Sequence, residues 1–225
     1  MKKIFGGIGT LLLVLLLVGC GVTKNSDALK FKEDYEKLNG VETSTEGKFY
    51  RTITIDEENP FVYTTLGNVV DMIMNHETFF VYFGANWCPW CRSVLPTAIR
   101  EAKEAGIDKI YYVDVRPDNI MENDIRDLYS LDENGEPYLS HKGLEDYKYF
   151  LMYADKVLST YSLHGVVIDD VKRVGAPNFF FVEDGNVNIK VTGISSQETD
   201  PYMDLTDEIN DEMTLIFKDF FDQMK

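Results

Sequence analysis

The sequence predicts an α/β fold, and three consecutive segments in the middle of the chain indicate it. Residues 78–83 (TFFVYF) are a β-branched and aromatic run of strand length. Residues 92–105 place their apolar side chains at helical spacing, and Gly106 follows as a stop signal. Residues 109–115 (KIYYVDV) are a second buried-type strand. Strand, helix and strand in this order predict a βαβ unit with two parallel strands.

Further elements are predicted on both sides of this unit. The alternation in 48–55 predicts a strand, and the apolar spacing in 61–75 predicts a helix. Residues 183–186 (EDGN) predict a hairpin turn, and the apolar stripe of 204–225 predicts a terminal helix packed on the sheet. The segment between the second strand and Pro177 is too long for a simple crossover. Residues 118–165 are therefore predicted to be a mainly helical insertion.

The composition excludes some classes of function. Of 225 residues, 44% are hydrophobic, which is enough apolar material for a folded core. The formal net charge is −16, and no basic stripe interrupts the acidic sequence. Such a surface repels phosphate backbones, so nucleic-acid binding is not expected.

The first twenty residues predict export. Two lysines precede a compact apolar run, as in a secretory signal, and the run is short for a transmembrane helix. It ends in LVGC, which resembles the lipobox of bacterial lipoproteins; the alternative is an uncleaved signal-anchor. The resemblance implies a signal peptide at 1–19 and a lipid on Cys20, which would hold the protein at the extracytoplasmic face of a bacterial membrane. Residues 20–45 are then the lipidated cysteine and a flexible tether, and 46–225 the folded domain.

The other two cysteines, Cys88 and Cys91, form a C-x-x-C motif where the first predicted strand turns into the helix. Pro89 suits the first helical turn, where a missing N–H has no consequence. A thiol at a helix N-terminus faces unpaired N–H groups and the positive end of the helix dipole, which favour the thiolate. We therefore assign Cys88 as the attacking thiolate and Cys91, one turn later, as the resolving thiol.

The cysteine pair has two other possible interpretations. A structural zinc site usually has four ligands, and the sequence offers no second C-x-x-C pair and no histidine at ligand spacing, so no metal is predicted. A structural disulfide is possible in an oxidising compartment, although a loop this short contributes little stability. The disulfide alternative stays open at this point.

Two segments of the chain resemble the thioredoxin superfamily. FFVYFGANWCPWC is similar to that family's strand and active-site segment, and VGAP followed by NFFFV is similar to its cis-proline loop and the next strand. The resemblance implies a thioredoxin-like fold, a central mixed sheet flanked by helices, with the insertion before the cis-Pro loop. It also implies a cis bond at Pro177 and a substrate groove formed by Trp87, Pro89, Trp90, Ala176 and Pro177.

The chain also departs from this family. Thioredoxins carry a buried Asp in the strand before the motif, six residues ahead of the first cysteine, and it helps to move protons during exchange. Tyr82 stands at that position here. The residues between the cysteines are Pro89 and Trp90 instead of Gly-Pro, and this dipeptide tunes the redox potential. The direction of electron flow is therefore not predicted.

Taken with the export signal, the resemblance implies a lipid-anchored thiol–disulfide oxidoreductase. Its expected substrates are cysteine-containing exported proteins or peptides, its expected partner is a membrane or extracytoplasmic redox protein, and no bound cofactor is needed. Among exported members, the chain is similar to the thioredoxin-like bacteriocin transport accessory proteins. The alternative function is a non-enzymatic adaptor for a secreted peptide, with Cys88 and Cys91 locked in a structural disulfide. Reactivity of Cys88 separates the two.

Overall fold

The computed structural model of the protein describes residues 26–224, which form a mixed sheet with helices on both faces. The proposed signal peptide, Cys20 and the first residues of the expected tether lie outside the described residues. The elements are α1 (Ser26–Glu36), β1 (Phe61–Tyr63), α2 (Leu66–Met74), β2 (Phe79–Gly84), α3 (Pro89–Ala105), β3 (Ile110–Asp114), β4 (Leu128–Leu131), β5 (Pro137–His141), α4 (Glu145–Ala154), β6 (Thr160–Leu163), β7 (Val166–Lys172), β8 (Asn178–Glu183), β9 (Asn186–Val191) and α5 (Asp207–Phe221).

The main sheet has five strands in the order β1-β3-β2-β8-β9. Strands β1, β3 and β2 are parallel, whereas β8 pairs antiparallel with both β2 and β9. Every residue of β2 is buried, as expected for a strand covered on both faces. The predicted α/β class is therefore confirmed, and the predicted βαβ unit consists of β2, α3 and β3.

Aromatic rings fill the two layers between the sheet and its helices. On one face, Phe80 of β2 contacts Phe220 and Phe221 of α5. On the other face, Phe83 contacts Phe150 of α4. Since alternate residues of a strand point to opposite faces, α5 and α4 lie on opposite sides of the sheet. Helix α3 packs against α5, and α2 packs against α4. The predicted C-terminal helix thus packs on the sheet as expected.

The strand predicted for 48–55 is wrong. Ile53 and Ile55 are buried and alternate with exposed residues, which is the pattern that the sequence shows. No strand among residues 26–224, however, pairs with this segment. Side chains of the preceding helical region form hydrogen bonds with its backbone instead. The Asn39 side chain donates to the carbonyl of Ile53 and accepts its N–H, and the Glu36 carboxylate accepts the N–H of Ile55. Within the segment, the only ladder contact is an isolated bridge between Phe49 and Glu42.

The helix predicted for 61–75 is two elements. Phe61 pairs with Ile110 at the start of β1, and the helix begins only at Leu66. Thr65 caps α2 by accepting the N–H of Asn68 with its hydroxyl. An N-cap marks the first residue of a helix, so the apolar residues before Thr65 are not helical. They belong to strand β1.

The insertion at 118–165 is not mainly helical. It contains two short 3₁₀ turns (Pro117–Asn119 and Met121–Asn123), the β4–β5 hairpin, the single helix α4 and strand β6, which forms a hairpin with β7. Residues 132–136 form the turn that joins β4 to β5. His164 and Gly165 both have positive φ in the two-residue turn between β6 and β7, a geometry that favours a hairpin over a helix.

The tether expected at 20–45 is wrong for its described part. Ser26 begins helix α1, and Ala28, Phe31 and Tyr35 of that helix are fully buried. The ring of Phe31 stacks on Phe61 with centroids 4.2 Å apart. This apolar stripe covers β1, so the folded domain includes helix α1 and does not begin at 46.

Candidate active site

Cys88 and Cys91 lie where β2 passes into α3. Pro89 occupies the first turn of α3, as predicted, and Cys88 is the residue that caps the helix. The Sγ atom of Cys88 accepts the backbone N–H of Cys91 at 3.2 Å. An unpaired N–H at a helix N-terminus favours negative charge on the atom that it faces. The fold therefore places the Cys88 sulfur at the N-terminus of α3, in contact with a backbone N–H of that helix.

The two cysteines are free thiols in different surroundings. Cys88 retains 5% of its surface, whereas Cys91 is fully buried. Burial raises the pKa of the Cys91 thiol well above its usual range, and its hydrogen bond to Cys88 raises that pKa further. The geometry thus gives the two sulfurs different surroundings, and Cys88 is the more exposed of the two.

The loop around Pro177 faces the cysteine pair. The Ala176–Pro177 bond is cis, as the resemblance implied. The Cys88 thiol donates to the carbonyl oxygen of Ala176 at 3.2 Å. These residues lie 88 positions apart in sequence, and β8, which follows the loop, pairs with β2, which precedes the motif. The central strands of the sheet therefore bring the two predicted site segments together.

The insertion holds the loop in this position. The hydroxyl of Tyr147 on α4 accepts the N–H of Val174, and the Arg126 guanidinium donates to the Val174 carbonyl. Arg126 is in turn bonded to the buried carboxylate of Asp124, which also binds Arg116. These arginines lower the pKa of Asp124 against the opposing effect of its burial. Segment 118–165 is thus a structural support of the site.

The two tryptophans are half-buried at the rim of the site. Trp87 donates its indole N–H to the carbonyl of Arg116 at 3.2 Å, and the Arg116 guanidinium lies 4.9 Å from a Trp87 ring centroid. Trp90 packs partly on the core. Pro89 is also half-buried, while Pro177 is buried. The structure places Trp87, Pro89 and Trp90 beside the cysteines, and Ala176 in direct contact with Cys88.

Three side chains near the site were not found from the sequence. Tyr82 and Tyr35 are fully buried, and their hydroxyl groups lie 3.2 Å apart. Arg92, next to Cys91, is also fully buried. Its guanidinium donates to the backbone carbonyls of Tyr35 and Asn86 and, at two points, of Arg51. For Tyr82, the sequence indicates only a departure from the thioredoxin pattern. The apolar stripe of α1 was the one signal that could have identified Tyr35.

A cleft of about 810 Å³ opens beside Trp87. Tyr63, Asn86 and Asp114 line part of it, at the carboxyl ends of β1, β2 and β3. Burial raises the pKa of the Asp114 carboxyl to about 6, although the N–H of Arg116 that it accepts acts in the opposite direction. The cleft therefore contains an acid that titrates close to neutral pH.

No known protein-family model matches this sequence, and no curated protein sequence matches it. In the described range, no helix is both long enough and apolar enough to cross a membrane. Across residues 26–224, no three His, Cys, Asp or Glu side chains come together as possible metal ligands. The function is therefore inferred from the geometry around Cys88 and Cys91.

Proposed function

We propose that the protein is a thiol–disulfide oxidoreductase with a thioredoxin-like fold. The observation that supports this best is the contact of the Cys88 sulfur with the carbonyl of Ala176, next to the cis bond of Pro177. The order β1-β3-β2-β8-β9, with three parallel strands and two antiparallel ones, is compatible with that fold. A reactive pair of cysteines opposite a cis-proline loop suits the capture of an extended disulfide substrate.

The reaction proceeds through a mixed disulfide. The Cys88 thiolate attacks one sulfur of a client disulfide, forms the Cys88–client bond and releases the other client sulfur as a thiolate. Cys91 then loses its proton and attacks Cys88. The Cys88–Cys91 bond forms, the bond to the client breaks, and the departing sulfur takes up a proton. Two electrons pass from the protein to the client, and the reverse sequence oxidises a client dithiol.

The groove for the client is formed by the residues around Cys88. Trp87, Pro89 and Trp90 present half-buried surfaces on the motif side, where a segment flanking the client cysteine packs. Ala176 and Pro177 form the opposite side, and the backbone of Ala176 is available to an extended client segment once the Cys88 thiol has reacted. Pairing through the backbone tolerates different side chains, which suits an enzyme with several clients.

The place of action follows from the N-terminal sequence. A signal peptide at 1–19 and a lipid on Cys20 would hold the domain at the extracytoplasmic face of a bacterial membrane. Its clients are then cysteine-containing exported proteins or peptides, and a membrane or extracytoplasmic partner renews its redox state. Exchange through two cysteines uses no bound cofactor.

A turnover assay with matched cysteine variants tests the enzyme function. The probe is a fluorophore-labelled peptide dimer joined by one disulfide, with dithiothreitol as the reductant and the full chain in catalytic amount. We expect the chain to accelerate reduction of the dimer. The Cys88→Ser variant should lose this acceleration by at least about a hundredfold, because the attacking thiolate is gone. The Cys91→Ser variant should instead accumulate a long-lived mixed disulfide with the peptide, detected by intact mass.

The third cysteine provides the control. The Cys20→Ser variant is expected to keep full exchange activity while losing its attachment to membranes. The oxidoreductase function is excluded if the wild-type chain does not accelerate reduction and the Cys91→Ser variant forms no mixed disulfide. The non-enzymatic adaptor, with an unreactive Cys88–Cys91 disulfide, then takes its place.

A further inference from the structure

The second step of the proposed reaction requires a thiolate in the core of the protein. Cys91 is fully buried, and its thiol donates to Cys88 while both cysteines are reduced. Once Cys88 is joined to a client, that sulfur no longer carries the charge that held the Cys91 proton. Cys91 must then ionise where water does not reach it. A buried charge of this kind is costly unless a polar group bonds to it.

The Tyr82 hydroxyl is placed to provide that bond. This hydroxyl belongs to β2 and lies near enough to the Cys91 sulfur to lower the pKa of that thiol, and both side chains are fully buried. Its ring is held between Phe179, stacked with centroids 4.3 Å apart, and Tyr112, stacked at 5.5 Å. Side-chain rotation would break both contacts. The position of the hydroxyl is therefore determined by the sheet.

Gly84 leaves the space that the Tyr82 phenol occupies. A Cβ atom at Gly84 would lie 2.1 Å from both Cζ and the hydroxyl oxygen of Tyr82, far inside van der Waals contact. The φ of Gly84 is not in the left-handed region, so its backbone conformation does not itself require glycine. The close approach of the phenol does. The end of β2 is thus shaped to bring a tyrosine hydroxyl to the cysteine motif.

A second hydroxyl lies behind the first. Tyr35 of α1 is 3.2 Å from Tyr82, oxygen to oxygen, and both side chains are fully buried. The ring of Tyr112 lies beside that of Tyr35, with centroids 6.3 Å apart. Burial raises the pKa of all three phenols well above their usual range, so they remain protonated and can donate a hydrogen bond but do not act as bases. A chain of such bonds strengthens the donor at its end.

We propose that Tyr82 is a catalytic residue that donates a hydrogen bond to the Cys91 sulfur as this sulfur becomes the attacking thiolate, with Tyr35 as the positioning residue behind it. The inference rests on the proposed oxidoreductase function. The net step is unchanged: Cys91 forms its bond to Cys88, the Cys88–client bond breaks, and the proton of Cys91 ends on the departing client sulfur. Tyr82 bears no net charge before or after the step.

A two-phase reaction separates attack from resolution. The probe is the aromatic disulfide dithiobis(nitrobenzoate), mixed in a stopped-flow instrument with the reduced full chain carrying Cys20→Ser, so that Cys88 and Cys91 are its two cysteines. Attack by Cys88 releases one coloured thiolate, and resolution by Cys91 releases the second. We expect Tyr82→Phe to slow the second release by about tenfold to a hundredfold, the loss typical of a hydrogen bond to a charged group. The first release should stay within about twofold.

The matched variants identify the hydroxyl as the cause. Tyr35→Phe should slow the second release by a smaller factor than Tyr82→Phe. Tyr111→Phe, which removes a partly exposed hydroxyl bonded to Lys109 on the same sheet, should change neither phase. If Tyr82→Phe releases both thiolates at the wild-type rates, or slows both phases alike while its unfolding midpoint is unchanged, the inference is wrong. If Tyr82→Phe does not fold, Tyr35→Phe decides, and wild-type rates in both phases overturn the inference.

The same traces separate this inference from the enzyme function itself. A wild-type chain that releases no coloured thiolate, or only one, contradicts the oxidoreductase function. A wild-type chain that releases both, with no effect of either tyrosine variant on the second, contradicts only the role of Tyr82.

Discussion

At the scale of single residues, the site assigns opposite surroundings to two identical side chains. Cys88 faces the end of a helix and the backbone of Ala176, whereas Cys91 lies among buried phenols. Both cysteines could be identified from the motif and from its place between a predicted strand and a predicted helix. The buried phenols could not be predicted in this way. Tyr35 and Tyr82 lie 47 positions apart in the sequence, and no local pattern indicates that they are in contact.

The carboxyl of Asp114 is expected to make the stability of the folded protein depend on pH. Its pKa in the folded protein, about 6, lies above its ordinary value of 3.8, chiefly because of burial. The folded protein therefore holds this proton more tightly than the unfolded chain, and the contribution of this carboxyl to stability declines as the pH rises from about 4 to 6. Relative to the wild type, Asp114→Asn should therefore gain about 2 kcal/mol of stability over this pH range, after allowance for partial exposure. Denaturant unfolding at several pH values measures it.

An exposed aspartate provides the comparison for that titration. Asp219 on α5 is exposed, and the Asp219→Asn variant should follow the wild-type dependence of stability on pH. If Asp114→Asn and the wild type give parallel curves between pH 4 and 7, the carboxyl of Asp114 is not perturbed as described.

At the scale of elements, local sequence patterns predicted those strands, helices and turns whose formation depends mainly on their own residues. The buried run of β2, the helical spacing of α3 with its stop at Gly106, and the turn at 183–186 are present as expected. The alternation of 48–55 correctly indicated which side chains are buried but not that side chains of Asn39 and Glu36 would take its backbone bonds. A β-strand forms only when another strand pairs with it, and the sequence of the segment itself does not show whether such a partner is present.

Helix α1 supplies an element-scale test because the sequence placed it in a tether. Phe31 is fully buried and stacks on Phe61. Phe31→Ala should therefore lower the free energy of unfolding by about 3–5 kcal/mol, since it leaves a cavity against the sheet. The matched substitution is Phe49→Ala, at a ring that is 54% exposed. It should change that free energy by less than about 1 kcal/mol. Equal effects of the two substitutions in denaturant unfolding would show that α1 does not belong to the core.

At the scale of the whole molecule, the topology joins three distant parts of the chain at one point. Strand β2 delivers the cysteine motif, β8 delivers the loop at Pro177, and α1 delivers Tyr35 beneath them. The resemblance implied the first two, so the candidate site could be placed from the sequence. The support from Arg126 and Tyr147 could not, because it comes from an insertion whose hairpins were expected to be helices.

The central claim is that Cys88 and Cys91 form a redox-active pair, and their reduction potential tests it most directly. The full chain carrying Cys20→Ser is equilibrated in glutathione or dithiothreitol buffers, and the dithiol fraction is read by alkylation and intact mass. We expect a potential between about −270 mV, typical of a reductase, and about −120 mV, typical of an oxidase. A pair that stays oxidised well below about −300 mV, with Cys88 unreactive, would contradict the account and favour a structural disulfide.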